Sequence, residues 1–340
     1  MMDDPLIQTV EVAALPEGLP RASDFTVASE PRSPLGPGQV RIQVETLSLD
    51  PYLRSLLGTG HLDDAPLGPG QVMAGRGIGT VTETTSGVAV GTRVLAETGW
   101  RAEAVVDADQ ATAITVPDGV PASAALGVLG MPGLTAYAAL ARHLRPAEGE
   151  TVVVSSATGG VGALAGQLAR RAGARPVAIV GSPAKAALAV DELGYDAAVV
   201  RGRPGWIEEL RAACPDRIHG YLHMGDQETL DGVVEQLAVG ARVSLIGLID
   251  QSNGAAPTRL RAGALMAAHA AAYGMVVYDH ADLAAEHVEV VGALLAAGTI
   301  RAPEDRYLGL GQAGEAFAHL MSGRNRGKVV VIVDPASTQE

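Results

Sequence analysis

Eight consecutive residues, Ser155-Ser-Ala-Thr-Gly-Gly-Val-Gly162, carry the densest chemical signal in the chain. Within them Ala157, Gly159 and Gly162 keep the spacing of a dinucleotide-binding loop, with alanine in the first glycine position. Small side chains let the backbone approach a pyrophosphate, and a helix starting there offers free N–H groups and the positive end of its dipole. The plain alternative is a glycine-rich turn in a chain with 42 glycines, so context decides. The loop follows the β-branched run Thr151-Val-Val-Val154 and precedes an Ala/Leu-rich segment of helical spacing. NAD-binding versions place an acid about 20 residues further on, where it takes the ribose hydroxyls. Here the next strand ends Ile179-Val-Gly-Ser182 without an acid, and Lys185 follows one turn into a helix. A cation in that place favours the 2′-phosphate of NADP.

Composition adds weight to Lys185. Of 25 basic residues only Lys185 and Lys328 are lysines, and Asn253 and Asn325 are the only asparagines. Such bias reads as the coding of a high-GC bacterium, and a residue type kept at so few positions is expected to have work there. The eight histidines and the single cysteine, Cys214, suggest no metal site. His219 and His223 would share a face only on a helix, and their segment reads as strand.

The elements that must hold these groups fall into two textures. Up to about residue 125 the chain reads as short strands (40–45, 77–82, 92–97 and 102–106) separated by Gly, Ser and Thr turns, as in an antiparallel barrel or sandwich. From about residue 122 the pattern changes. Strands at 151–154, 176–180, 196–200, 219–224 and 241–248 alternate with helices at 135–144, 160–172, 183–193, 206–213 and 230–239. That alternation predicts right-handed βαβ units in a doubly wound parallel sheet. An Ala-rich apolar helix is expected at 266–273, as packing or a dimer surface. A helix at 313–322 and a strand at 328–333 close the chain.

The 340 residues are 47% hydrophobic and 19% charged, which excludes disorder and coiled coil. A net charge of −13 disfavours nucleic acid and anionic membrane surfaces as partners. No apolar run is long enough to span a bilayer, the acidic start Met1-Met-Asp-Asp-Pro5 lacks a leader's apolar core, and one cysteine allows no internal disulfide. A cytoplasmic protein is expected.

Three longer motifs resemble one family. Leu47-Ser-Leu-Asp-Pro-Tyr-Leu-Arg54, Gly130-Met-Pro-Gly-Leu-Thr-Ala-Tyr137 and Ser322-Gly-Arg-Asn-Arg-Gly-Lys328 are similar, in order, to segments of the zinc-independent medium-chain dehydrogenase/reductases. Within that family the chain resembles the branch of the leukotriene dehydrogenases, prostaglandin reductases and 2-alkenal reductases. The resemblance covers nearly the whole chain. It implies an α/β fold: a GroES-like β-rich domain at 1–127, a Rossmann domain with a doubly wound parallel sheet at 128–302, and a C-terminal return at 303–340. It also implies NADPH-dependent reduction of a carbon–carbon double bond conjugated to a carbonyl, on a small enone or enal, in a homodimer. Carried over by position, Thr158, Gly159, Gly160, Val161 and Gly162 would hold the pyrophosphate, and Ser182 and Lys185 the 2′-phosphate. Ile246, Gly247, Leu248 and Ile249 would line the nicotinamide ribose, with Met275, Val276 and Val277. Met131 and Thr135 would face the cofactor, Asn325 would bond near its nicotinamide half, and Tyr52 would face the substrate.

Departures gather at the reacting end. Arg201 stands where the family has a tyrosine after the third parallel strand, and remains able to clamp a 2′-phosphate. His223-Met-Gly-Asp-Gln227 replaces D-N-V-G-G. In Asp250-Gln-Ser-Asn253, Ser252 occupies the place of a tyrosine that steadies the enolate oxygen. Two enzymatic readings follow. One is a reductase with a pocket remodelled for a bulky or unusual enone, as in secondary metabolism. The other is a non-redox enzyme such as a cyclase that binds NADP(H) without net turnover, using His223 and Asp226 as acid and base. A third reading is a cofactor-bound structural or regulatory protein.

Overall fold

The computed structural model describes residues 6–62 and 64–334. The acidic start of the sequence therefore lies outside the described residues. The chain divides into two units, one running to Val116 and taking in Pro121–Leu126 and the chain from Glu304. The other comprises Pro117–Val120 and Gly127–Pro303.

In chain order, the first unit begins with β1 (Leu6–Val12) and β2 (Phe25–Pro31), an antiparallel pair. It continues through β3 (Gln39–Leu49), β4 (Arg76–Thr84), β5 (Arg93–Glu97), β6 (Glu103–Asp107) and β7 (Thr112–Ala113). The second unit holds β8 (Thr151–Ser155), β9 (Arg175–Val180), β10 (Ala197–Val200), β11 (Ile218–His223), β12 (Leu237–Leu245) and β13 (Ala271–Gly274). β14 (Glu304–Leu308) and β15 (Lys328–Ile332) return to the first. There the strand order is β14-β15-β3-β4-β5-β7, with β6 also on β3. Phe25, Trp100 and Phe317 pack as an aromatic trio, ring centroids 5.3–5.8 Å apart.

In the second unit six parallel strands lie in the order β10-β9-β8-β11-β12-β13. The chain leaves β8 toward one edge and returns at β11 toward the other, so the switch point falls between their C-terminal ends, where doubly wound sheets bind ligands. Every residue of β8 is buried, as befits a central strand covered on both faces. Trp206 is 3% exposed in the core with Val153, Val177, Ile179 and Tyr221, and its Nε1 donates to Glu228 at 2.9 Å.

Three expected helices are corrected. The helix placed at 230–239 runs over Gln227–Val234. Gln236 Nε2 donates to the Gly232 carbonyl at 2.9 Å, and Leu237 already pairs with Ile218 in the sheet. The apolar triplet 237–239 fits either period, and pairing with β11 decides it. The helix placed at 266–273 is Ala262–Ala267, ended by His269 in the left-handed region (φ +48°), after which β13 pairs with β12. The helix expected at 135–144 is α-helical over Met131–Ala138 and widens to a π-helix over Ala139–Leu144.

Candidate cofactor site at the sheet's C-terminal edge

Each parallel strand ends in residues that the sequence put forward. β8 runs into the glycine loop and then the helix Gly162–Arg171. A Cβ on Gly162 would lie 2.5 Å from the Ser156 carbonyl oxygen and 2.7 Å from Ala157 Cα, so strand and helix meet there only because the residue is glycine. Thr158 is buried at 1% exposure, whereas Gly159, Gly160 and Val161 are half-buried at the loop's rim. The loop is tied across the switch point. Ser155 Oγ donates to Leu222 O (3.2 Å) and accepts from Met224 N (2.7 Å), and Ser156 Oγ donates to Met224 O (3.0 Å). A glycine loop at a helix N-terminus, with strand and helix too close for a methyl at Gly162, fits a pyrophosphate.

After β9, Ser182 caps the helix Pro183–Asp191: its Oγ accepts from Lys185 N at 3.3 Å, and Pro183 opens the helix. That cap sets Ser182 and Lys185 on the first turn, both half-buried, where helix dipole and ammonium share one sign. No carboxylate stands between Val180 and Lys185. These two residues fit a 2′-phosphate.

Arg201 follows β10 but is engaged elsewhere, in an ion pair with Asp226. Asp226 caps the helix Gln227–Val234, its Oδ1 accepting from Thr229 N (2.8 Å) and Thr229 Oγ1 (2.7 Å). Burial pushes the Asp226 pKa up, but the Thr229 bonds, Arg201 and His223 outweigh it and hold the carboxyl below its ordinary value. His223, at the end of β11, is 0% exposed and hydrogen-bonds Tyr221 Oη across 2.7 Å, while its Nε2 has no partner among the described residues. Burial, opposed by Asp226, pushes its pKa down to about 4. A neutral, enclosed imidazole and a capping, ion-paired carboxylate are poorly suited to exchange protons with a substrate. Backbone geometry gives His223 a different use: its carbonyl accepts from Ile246 N (3.0 Å) and Gly247 N (3.4 Å), anchoring the segment after β12.

From there Ile246, Gly247 and Ile249 are half-buried and Leu248 is 37% exposed; Ser252, half-buried, ends the short helix Ile249–Ser252. After β13, Met275 N donates to Leu245 O at 3.0 Å, with Met275 buried and Val276 39% exposed. Thr135 is buried on the helix Met131–Ala138, its hydroxyl donating to Met131 O at 2.8 Å within that helix.

Two put-forward residues belong to the first unit. Tyr52 stands before the helix Leu53–Leu56, its ring 4.7 Å from that of His61. Asn325 is buried, with Nδ2 donating to Gly327 O at 2.7 Å. Nearby in sequence, Lys328 is 6% exposed and its Nζ meets Leu49 O (2.6 Å), Val329 O (3.0 Å) and Asp50 Oδ1 (3.2 Å). Burial holds this lysine below its ordinary pKa despite the pull of Asp50.

Sequence reasoning passed over Tyr195 and the Ser155–Met224 ties. Both depend on which strands become neighbours, which no local pattern states.

Known proteins agree with this architecture. Residues 8–114 match a family model described as the N-terminal domain of oxidoreductase, and residues 160–292 one described as zinc-binding dehydrogenase. A zinc does not fit the residues present: no three His, Cys, Asp or Glu gather to hold a metal among the described residues, and Cys214 is buried. The NADPH-dependent curcumin reductase of Escherichia coli is 31% identical over 95% of this chain and 95% of its own. The 2-alkenal reductase (NADP(+)-dependent) of Nicotiana tabacum is 32% identical over 93% of this chain and 94% of its own. The crystal structure of CurA from Vibrio vulnificus superposes with a TM-score of 0.90 at 31% identity, covering 96% of this chain and 99% of CurA; CurA has also been crystallised with NADPH. The chain belongs to the zinc-independent branch of the medium-chain dehydrogenase/reductases, a family of NADP-dependent oxidoreductases.

Proposed function

We propose that this protein uses NADPH to reduce the carbon–carbon double bond of an α,β-unsaturated carbonyl, on an enone larger or less usual than a simple alkenal, in secondary metabolism. The carrying observation is the phosphate end of the site. Gly162 packs without room for a methyl, Ser182 caps its helix, Lys185 lies on the first turn, and no acid lies between Val180 and Lys185 in the sequence. The relatives' names add support, since curcumin and 2-alkenals both carry a double bond conjugated to a carbonyl.

When bound, NADPH supplies a hydride for the β-carbon. The residues do the rest. The 155–162 loop and the first turn of helix Gly162–Arg171 bind the pyrophosphate, and Ser182 with Lys185 neutralises the 2′-phosphate. The anchored 246–249 segment and Met275 wall the reacting end from water. Charge then develops on the substrate's carbonyl oxygen, and Ser252 offers it a hydroxyl donor shorter and less acidic than a phenol.

The test is NADPH consumption with a panel of enones of increasing size. Oxidation of NADPH with appearance of the saturated carbonyl is expected, slow on small 2-alkenals. Ser252→Tyr should leave that small-substrate rate unchanged or raise it, on a scale set by the about 2.7–4 kcal/mol that one oxyanion donor contributes. Conversion without net NADPH consumption would overturn the reading.

We also propose a homodimer in the cytoplasm. β13 is an edge strand bonded on one side only in the described sheet, and Met266 (77% exposed) and Tyr278 (46%) lie near it in sequence. A monomeric mass in light scattering would contradict this.

A further inference from the structure

Tyr195 lies between the helix Pro183–Asp191 and β10, remote in sequence from the glycine loop, yet 1% exposed and aimed at it. Its Oη donates to Gly162 O at 2.7 Å and stands 3.4 Å from Ala157 O, so one hydroxyl touches carbonyls on both sides of the loop. The ring fits because position 166 is glycine: a Cβ there would overlap ring carbons Cζ, Cε1 and Cε2. Arg170 fixes the same segment from the far end of helix Gly162–Arg171, its Nη1 donating to Gly194 O (2.9 Å) and Asp196 Oδ1 (3.0 Å). Tyr195 N donates to Ala189 O at 3.0 Å. The phenol is thus held at its base, with its hydroxyl nearest the Gly162 carbonyl.

The bond continues into the loop. The peptide unit whose carbonyl takes the Tyr195 proton carries Ala163 N–H at its other end, and that group donates to Gly159 O at 2.9 Å. In a trans peptide the C=O and N–H point opposite ways. Holding Gly159 O toward the helix therefore turns the Gly160 N–H toward the open side of the loop. A carbonyl has two lone pairs, so the phenol adds to the helical bond at Gly162 without displacing it. Bonds in such a chain polarise one another.

We infer that Tyr195 is a positioning residue for the coenzyme: through Gly162, Ala163 and Gly159 it orients the backbone N–H groups that receive the pyrophosphate. The inference rests on assigning the 155–162 loop to that pyrophosphate.

Tyr195→Phe removes the hydroxyl and keeps the ring, and titration of binding by NADPH fluorescence separates the possibilities. The expected result is NADPH affinity weakened about two- to tenfold, the range of one buried hydrogen bond, with KM for NADPH rising in step and kcat at saturation retained. Binding of 2′-AMP, which carries the 2′-phosphate but no pyrophosphate, should be unchanged. Gly166→Ala, which pushes the ring from its slot, should give the same pattern. Unchanged NADPH affinity in Tyr195→Phe, or equal weakening toward NADPH and 2′-AMP, would overturn the role and make Tyr195 a packing residue. If the unsubstituted protein bound NADPH no tighter than 2′-AMP, the loop assignment itself would fall.

Discussion

The chain keeps two lysines, and their surroundings are opposite. Lys185 stands half-buried on the first turn of a helix, beside a serine cap. Lys328 is enclosed at 6% exposure, its ammonium spent on two carbonyls and the buried Asp50, which in turn accepts from Ser48 Oγ. Both survive a composition that otherwise chooses arginine. The difference teaches that scarcity marks a position as constrained without saying by what: Lys328 serves the fold's own interior, whereas Lys185 is the residue proposed for a ligand's phosphate. Lys328 joins β15 to the residue after β3, so it secures the turn in which Asp50 is followed by Pro51 and Tyr52.

The widest separation between the two should come from Lys328→Met. Leaving Asp50 buried without its partner is expected to cost about 3–5 kcal/mol of unfolding free energy, read by urea denaturation, with NADPH affinity unchanged. A variant that folds normally but loses coenzyme would break the comparison. His223 extends the interior class into the second unit. The unfolded chain takes up its proton near pH 6.5, while the folded chain refuses it until about 4. Stability should therefore fall as pH drops through that window, by up to about 3 kcal/mol, and His223→Asn should flatten that part of the curve. An unchanged acid limb in the variant would remove His223 from this class.

On the ligand side, Lys185→Ala should erode the preference for NADPH over NADH by about 1.5–3 kcal/mol, leaving NADH binding and denaturation midpoint close to their original values. Equal affinity for both coenzymes before any substitution would sink the assignment. The smallest effect is expected of Ser182→Ala, about 1 kcal/mol of stability from the lost cap, with a weaker loss of coenzyme preference than Lys185→Ala.

Much of the second unit was legible. A β-branched run leading into small residues at fixed spacing has few structural solutions, and β8, its loop and the following helix fall where those residues put them. The helix start at Ser182 was legible because it is local: Ser182 and Lys185 are three apart on one turn, and the serine accepts from the lysine's own N–H. What could not be read depends on neighbours brought together by the sheet. Arg201 looks like a phosphate clamp in sequence, yet β10 and β11 lead it to Asp226. His223 looks like an acid or base until the strand enclosing it is known. The Ala-rich run 266–273 fits a helix by composition, and only a left-handed His269 and pairing with β12 turn its second half into an edge strand.

The aromatic trio has a spectroscopic consequence. The chain's two tryptophans are divided between its units: Trp100 among Phe25 and Phe317 with no partner for its Nε1 among the described residues, Trp206 bonded to Glu228. An indole in a dry aromatic nest emits to the blue of one hydrogen-bonded to a carboxylate, and both move to the red once water reaches them. In Trp206→Phe the emission of the whole protein becomes a report on the first unit alone, and in Trp100→Phe on the second. Overlaying the two melting curves then reads directly whether the halves let go together or one after the other.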